Sequence, residues 1–274
     1  MSGLPRVGVI GVGTIAEALI TGMCAAGEQR AAFLLSPRNA DIAKRLAERF
    51  SSVEVAGDNQ AVLDASDIIF LAVRPQVAAD VLGALKFRRD QLVVSLIATF
   101  DVARLRTLVA PVSTIARAAL LPAVARRLGP LTLYPLVPEV AKLLEGLGKL
   151  VQLQNESDLD ALWSVTGLMG SYFGLLDEIA GWLARQNLED AQIGPFVAAM
   201  FEALAVTGAE RARDGFDRLV VDHSTPGGLN EQAYRELQAA GWTSLVSQTL
   251  DLIHARILGR ATLADRLPIA RGSA

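Results

Sequence analysis

The tightest constraint on this chain lies within its first sixteen residues. A short β-branched run, Val7 to Ile10, stops at Gly11-Val12-Gly13-Thr14-Ile15-Ala16. An apolar-periodic segment follows through Ala18, Leu19, Met23 and Cys24 and ends near Gly27. The pattern reads as a buried parallel strand, a glycine turn and a helix.

The same alternation continues. A second apolar strand, Ala32 to Leu35, ends at Ser36-Pro37-Arg38-Asn39. A charged helix is expected over Asp41 to Phe50, a brief strand at Val53 to Val55 and a helix from Gln60 to Ala65. A strong strand, Ile68 to Val73, a helix from Gln76 to Leu85 and a strand from Leu92 to Ile97 complete the series. Strands alternating with helices imply a parallel sheet covered on both faces.

In that setting the glycine motif has a physical meaning. Gly11 permits the tight turn, Gly13 lets a pyrophosphate approach the backbone, and Ala16 still allows close helix–strand packing. The phosphates would sit on the N–H groups opening the next helix, at Thr14, Ile15 and Ala16. The N-terminal half therefore reads as a Rossmann dinucleotide-binding domain. The bland alternative is an ordinary strand-to-helix turn. Where NAD enzymes place a carboxylate after the second strand, this chain has Ser36 and Arg38, a hydroxyl and a guanidinium suited to a phosphate. That favours NADPH, with NADH possible.

At 274 residues the chain is long enough for two domains, expected at 1–157 and 158–274. Composition narrows the class further. The chain is 51% hydrophobic and 20% charged, with a mean hydropathy of +0.35. No run of about 18 uncharged apolar residues is seen, so the apolar excess is assigned to a subunit interface rather than a membrane. The net charge of −3 is spread without a basic face, which argues against a nucleic-acid partner. A single cysteine, Cys24, excludes an intrachain disulfide and suits a cytoplasmic location. It reads as core packing rather than a nucleophile. No His/Cys/Asp cluster has metal-ligand spacing.

From Asp158 onward strand signals fade, and helices are expected over Asp158 to Met169, Ser171 to Gln186, Ala191 to Arg213 and Ala240 to Leu258. Breaks fall near Gly170, Asn187-Leu188, Gly215 and Gly241. The stretch Thr225-Pro226-Gly227-Gly228-Leu229-Asn230-Glu231 is a turn followed by a helix start. Such a turn exposes N–H groups suited to a carboxylate, unless it is a plain interhelical loop.

Four blocks, in order, resemble the pyrroline-5-carboxylate reductase family. They are Gly11-Val-Gly-Thr-Ile-Ala-Glu-Ala, Ile69-Phe-Leu-Ala-Val-Arg-Pro-Gln, Val94-Ser-Leu-Ile-Ala and Ser224-Thr-Pro-Gly-Gly. The resemblance spans Val7 to about Leu258. It implies an α/β fold with an N-terminal Rossmann domain and a C-terminal all-helical dimerisation domain. It also implies reduction of the C=N bond of a cyclic imino acid, most simply pyrroline-5-carboxylate to proline, in a homodimer or higher oligomer. By the same resemblance Asn59, Ala72, Val73, Arg74 and Pro75 line the cofactor site. Thr225, Gly227 and Gly228 hold the substrate carboxylate, and Thr225 and Asn230 serve the imine.

Three departures separate the chain from that pattern. Asn230 stands where the family usually has threonine. Arg117-Ala118-Ala119-Leu120-Leu121-Pro122-Ala123 replaces a Pro-Asn-Thr-Pro segment, which makes the pocket greasier. Thr166-Gly-Leu-Met-Gly-Ser-Tyr172 lacks the family's proline. A different imine or carbonyl substrate, or a catalytically inactive NADP-binding protein, is therefore the alternative. A β-hydroxyacid dehydrogenase would need a lysine in the helical half, yet the four lysines are Lys44, Lys86, Lys142 and Lys149. His223, Asp222 and Glu231 flank the turn and are candidates for substrate contact or plain solvation; His254 has no ligand partner in sequence.

Overall fold

The computed structural model describes residues 4–25 and 30–267. Its centre is a strand, Ile68–Leu71, whose four side chains are all buried. Burial on both faces explains why this stretch is apolar without alternation. In chain order the elements of the first half are β1 (Arg6–Ile10), α1 (Thr14–Cys24), β2 (Ala32–Leu35), α2 (Ala40–Arg49), β3 (Val53–Val55) and α3 (Asn59–Asp64). They continue with β4 (Ile68–Leu71), α4 (Pro75–Gly83), β5 (Leu92–Ser95), α5 (Val102–Leu108) and β6 (Thr114–Leu120). A 3-10 turn at Pro122–Arg126, β7 (Pro130–Tyr134), α6 (Pro138–Leu144), β8 (Lys149–Gln152) and α7 (Glu156–Val165) follow. The expected end of α1 near Gly27 lies outside the described residues.

The eight strands form one sheet in the order β3-β2-β1-β4-β5-β6-β7-β8. Neighbours from β3 to β6 are parallel, β7 runs antiparallel to β6, and β8 is parallel to β7. The strand order reverses beside β1, so the carboxyl ends of β1 and β4 flank the crevice where such sheets bind ligands. The last three strands were not foreseen. Arg117 inside β6, and Pro130 and Lys149 opening β7 and β8, hide the apolar pattern that marks the earlier strands. Two apolar clusters cover the faces of the sheet, one centred on Val9, Leu19 and Phe70, the other on Ile10, Leu71 and Phe100.

The second half contains a 3-10 turn (Thr166–Leu168), α8 (Met169–Ala184), α9 (Asp190–Glu210), α10 (Phe216–His223), α11 (Leu229–Ala239) and α12 (Trp242–Ile257). Gly170, expected as a break, lies inside α8; the chain bends instead through the 3-10 turn before it. The chain separates into two compact units, Met1–Ser164 with His254–Thr262, and Val165–Ile253 with Leu263–Ala274. In the second unit α8, α10, α11 and α12 have no buried residue, and α9 buries only Ile193 and Val197. By length and composition α9 is the one helix among the described residues apolar enough to cross a membrane. It carries Glu202 and an internal Pro195.

Candidate functional site

The glycine loop after β1 is held from three sides. Gly11 takes φ +90°, and its backbone passes so close to Val73 that an added Cβ would lie 2.8 Å from that residue's amide nitrogen. Only glycine satisfies both conditions. Its N–H donates to the Ser36 hydroxyl at 2.9 Å, and the Asn39 amide donates to the Val12 carbonyl at 2.9 Å. Asn39 was not singled out from sequence, because an Asn at a helix N-cap has an ordinary local explanation. Ala16 is fully buried, which lets α1 pack directly on the sheet.

Gly13 is the N-cap residue of α1, and no side chain caps that terminus. A Cβ at Gly13 would meet nothing within 4 Å. The opening N–H groups of α1 thus face open space beside a backbone without side chain, an arrangement that fits a dinucleotide pyrophosphate. The loop after β4 forms the opposite wall. Ala72 donates its N–H to the Ile10 carbonyl at 2.8 Å, Arg74 is the exposed N-cap of α4, and Pro75 occupies the first helical turn. Asn59 opens α3, whose N-cap Asp58 accepts from the Ala61 N–H.

At the end of β2 the two proposed phosphate-side residues differ. Arg38 is exposed, whereas Ser36 is 1% exposed and spends its hydroxyl oxygen on Gly11. Ser36 therefore shapes the loop, and Arg38 carries the accessible charge. Cys24 packs against the core, where burial pushes its thiol pKa up, so it is a poor nucleophile.

A buried charge cluster sits beside the carboxyl end of β5, at the middle of β6. Arg117 is 1% exposed, and its Nη1 lies 2.7 Å from Glu156 Oε1 and 2.9 Å from Asp160 Oδ1. Nη2 donates to the Ala98 carbonyl at 2.8 Å, and Glu156 also accepts from the Val102 N–H. Arg117 thereby joins the loop after β5, the start of α5 and the start of α7. Within the segment, residues 117–120 are buried in β6, whereas Leu121 and Ala123 are half-buried and Pro122 is exposed beyond the end of that strand.

In the helical unit the Thr225–Asn230 turn is internally bonded. Gly228 donates to the Thr225 carbonyl at 2.8 Å, and Gly227, at φ +73°, donates to Glu231 Oε2 at 2.7 Å. The N-terminus of α11 has no side-chain cap at Gly228. Asn230 donates its Nδ2 to the His223 carbonyl at 3.0 Å, which leaves its Oδ1, an acceptor, for a ligand. His223 Nδ1 lies 2.8 Å from the Leu219 carbonyl and must carry the proton there, since a carbonyl only accepts. Asp222 is unavailable to a substrate amine. Arg211 hydrogen-bonds to it at 2.6 Å and Arg218 lies at 3.0 Å, and the Arg211 guanidinium holds its carboxyl below the usual range. His254 belongs to the other unit, in the last turn of α12.

Comparison with known proteins gives this geometry its relatives. Residues 6–99 match the family model described as NADP oxidoreductase coenzyme F420-dependent. The chain is 29% identical to the pyrroline-5-carboxylate reductase of Pseudomonas aeruginosa, over 96% of this chain and 98% of that protein. The fold superposes on the crystal structure of 1-pyrroline-5-carboxylate reductase from Streptococcus pyogenes with a TM-score of 0.80, covering 93% of this chain and 98% of that one at 22% identity. It also superposes on Plasmodium falciparum pyrroline carboxylate reductase with NADP bound, at a TM-score of 0.78 and 16% identity, over 95% and 100% of the two chains. The chain is thus similar over nearly its full length, in sequence and in fold, to pyrroline-5-carboxylate reductases, around a glycine loop built for a dinucleotide.

Proposed function

We propose that the chain is an NADPH-dependent oxidoreductase that reduces the C=N bond of a cyclic imino acid, with pyrroline-5-carboxylate to proline as the first reaction to test. The observation that carries the cofactor half is the uncapped N-terminus of α1 beside Gly13, with Arg38 exposed at the end of β2. Gly11, Gly13, Thr14, Ile15 and Ala16 would hold the pyrophosphate, Ser36 would brace the loop and Arg38 would meet the 2′-phosphate. Asn59 and the Ala72-Val73-Arg74-Pro75 segment would flank the rest of the dinucleotide.

When bound, the dinucleotide supplies a hydride. The chain's residues have the smaller tasks of binding, orienting and keeping water away. A protonated imine is already a good hydride acceptor, so no strong acid is required. Thr225, Gly227 and Gly228 are assigned to the substrate's carboxylate. Asn230 Oδ1 is assigned to the imine N–H, as an acceptor for a proton the nitrogen keeps. The imine carbon gains the hydride, the C=N π pair returns to nitrogen, and a secondary amine results.

The assembly belongs to the same proposal. Phe173, Phe196 and Phe216 are each more than 60% exposed in a unit that buries almost nothing by itself. Exposed aromatic side chains on a unit with so little buried core fit a homodimer interface. A cytoplasmic site of action accords with the lone Cys24.

The deciding experiment is NADPH oxidation by the purified protein with pyrroline-5-carboxylate, beside an Asn230→Ala variant. Turnover lost in the variant with NADPH affinity unchanged supports the assignment. NADPH binding without turnover of any cyclic imine overturns it in favour of a non-catalytic dinucleotide-binding protein.

A further inference from the structure

We propose that Glu231 is a specificity-determining residue, an internal carboxylate seated where the substrate's carboxylate is expected, which shifts preference toward cyclic imines that carry none. The inference rests on the assignment of the Thr225–Asn230 turn to the substrate.

Both glycine amides of that turn are already engaged within the chain, Gly228 with the Thr225 carbonyl and Gly227 with Glu231 Oε2 at 2.7 Å. Glu231 is the third residue of α11, and its side chain folds back past the N-cap Gly228 to accept from the Gly227 N–H. The helix dipole favours negative charge there, and no other side chain supplies it. A substrate carboxylate would want the same amide and the same end of the dipole.

Charge around the turn sharpens the competition. Arg211 pairs with Asp214 and Asp222 and Arg218 with Asp222, while Arg235 lies one turn after Glu231 on α11. Among the described residues no lysine or arginine lies within salt-bridge distance of Glu231, and the hydrogen bond it accepts comes from the Gly227 N–H. An imino acid must displace Glu231 or sit beside a like charge. A protonated cyclic imine without a carboxylate brings only positive charge. It would meet Glu231 and the free Oδ1 of Asn230, both acceptors. The reaction balances unchanged: its imine carbon gains the hydride, its nitrogen keeps the proton and takes the π pair, and NADPH becomes NADP⁺.

The test compares pyrroline-5-carboxylate with 2-methyl-1-pyrroline in the full-length protein and in Glu231→Gln. Glutamine at this position is of the same size and keeps an acceptor for the Gly227 N–H, so the variant keeps its fold. The wild type is expected to turn over 2-methyl-1-pyrroline beside the imino acid. Glu231→Gln should move the ratio about tenfold or more toward the imino acid, through KM, with kcat little changed. Calorimetric titration with proline, the carboxylate-bearing product, should show tighter binding to the variant than to the wild type. A helix cap without a role in recognition would leave the ratio and proline binding unmoved or make both worse, and either result overturns the proposal. Turnover of either imine with an unmoved ratio defeats this inference alone. Failure of both imines in both proteins, with NADPH still bound, defeats the parent reading and this one with it.

Discussion

The Gly11 amide donates to the Ser36 hydroxyl across 2.9 Å, so the residue that follows β1 is tied to the residue that follows β2. The bond fixes the entrance of the glycine loop at the point where its backbone already presses on Val73. Replacing Ser36 by Ala strands a partly buried N–H. The expected cost is about 1–3 kcal/mol in unfolding free energy. Urea denaturation would measure it, and NADPH titration should show weaker binding from the same loosened loop.

Arg38 follows two residues later and is exposed, free to meet a phosphate. In Arg38→Ala the dissociation constant for NADPH should rise about tenfold to hundredfold, the equivalent of one charge-assisted hydrogen bond. The constant for NADH should stay nearly the same. Fluorescence titration with both cofactors reads the contrast, and an equal loss for both would remove Arg38 from 2′-phosphate recognition.

Arg117 is the only positive charge in its buried cluster, facing Glu156 and Asp160. In Arg117→Met the two carboxylates lose the guanidinium that faces them. Such a break costs about 3–5 kcal/mol. Adding Glu156→Gln and Asp160→Asn to the same chain should recover much of that loss, because the penalty comes from unpaired charge rather than missing volume. Denaturation curves of the single and triple variants decide it.

Phe196 and Met200 lie one turn apart on α9, and both are exposed in the single chain. If the apolar face is a dimer interface, Phe196→Glu should shift the molar mass measured by light scattering from a multiple of 29.1 kDa toward that value. A wild-type protein that is already monomeric would remove the interface from the proposal.

The first strand, the glycine loop and the helix after it are legible in residues 7–24, because a buried parallel strand and a glycine turn are written in local order. The next four strands follow for the same reason. β6, β7 and β8 escaped notice because their pattern is mixed: Arg117 interrupts an apolar run and is tolerated only because Glu156 and Asp160, about forty residues away, arrive beside it. Asn39 was invisible for a similar reason, its carbonyl partner Val12 lying 27 residues earlier.

Residue types alone determined that a dinucleotide loop opens this chain, that no lysine stands in its helical half, and that the Thr-Pro-Gly-Gly turn precedes a helix. Only the tertiary structure decided how those residues are spent. Ser36 turned inward to brace the loop, Asn230 committed its amide to His223, and Glu231 closed over Gly227. The physical reason is that a polar atom's availability depends on which partner reaches it first. Linear order names the candidates, and packing assigns their hydrogen bonds.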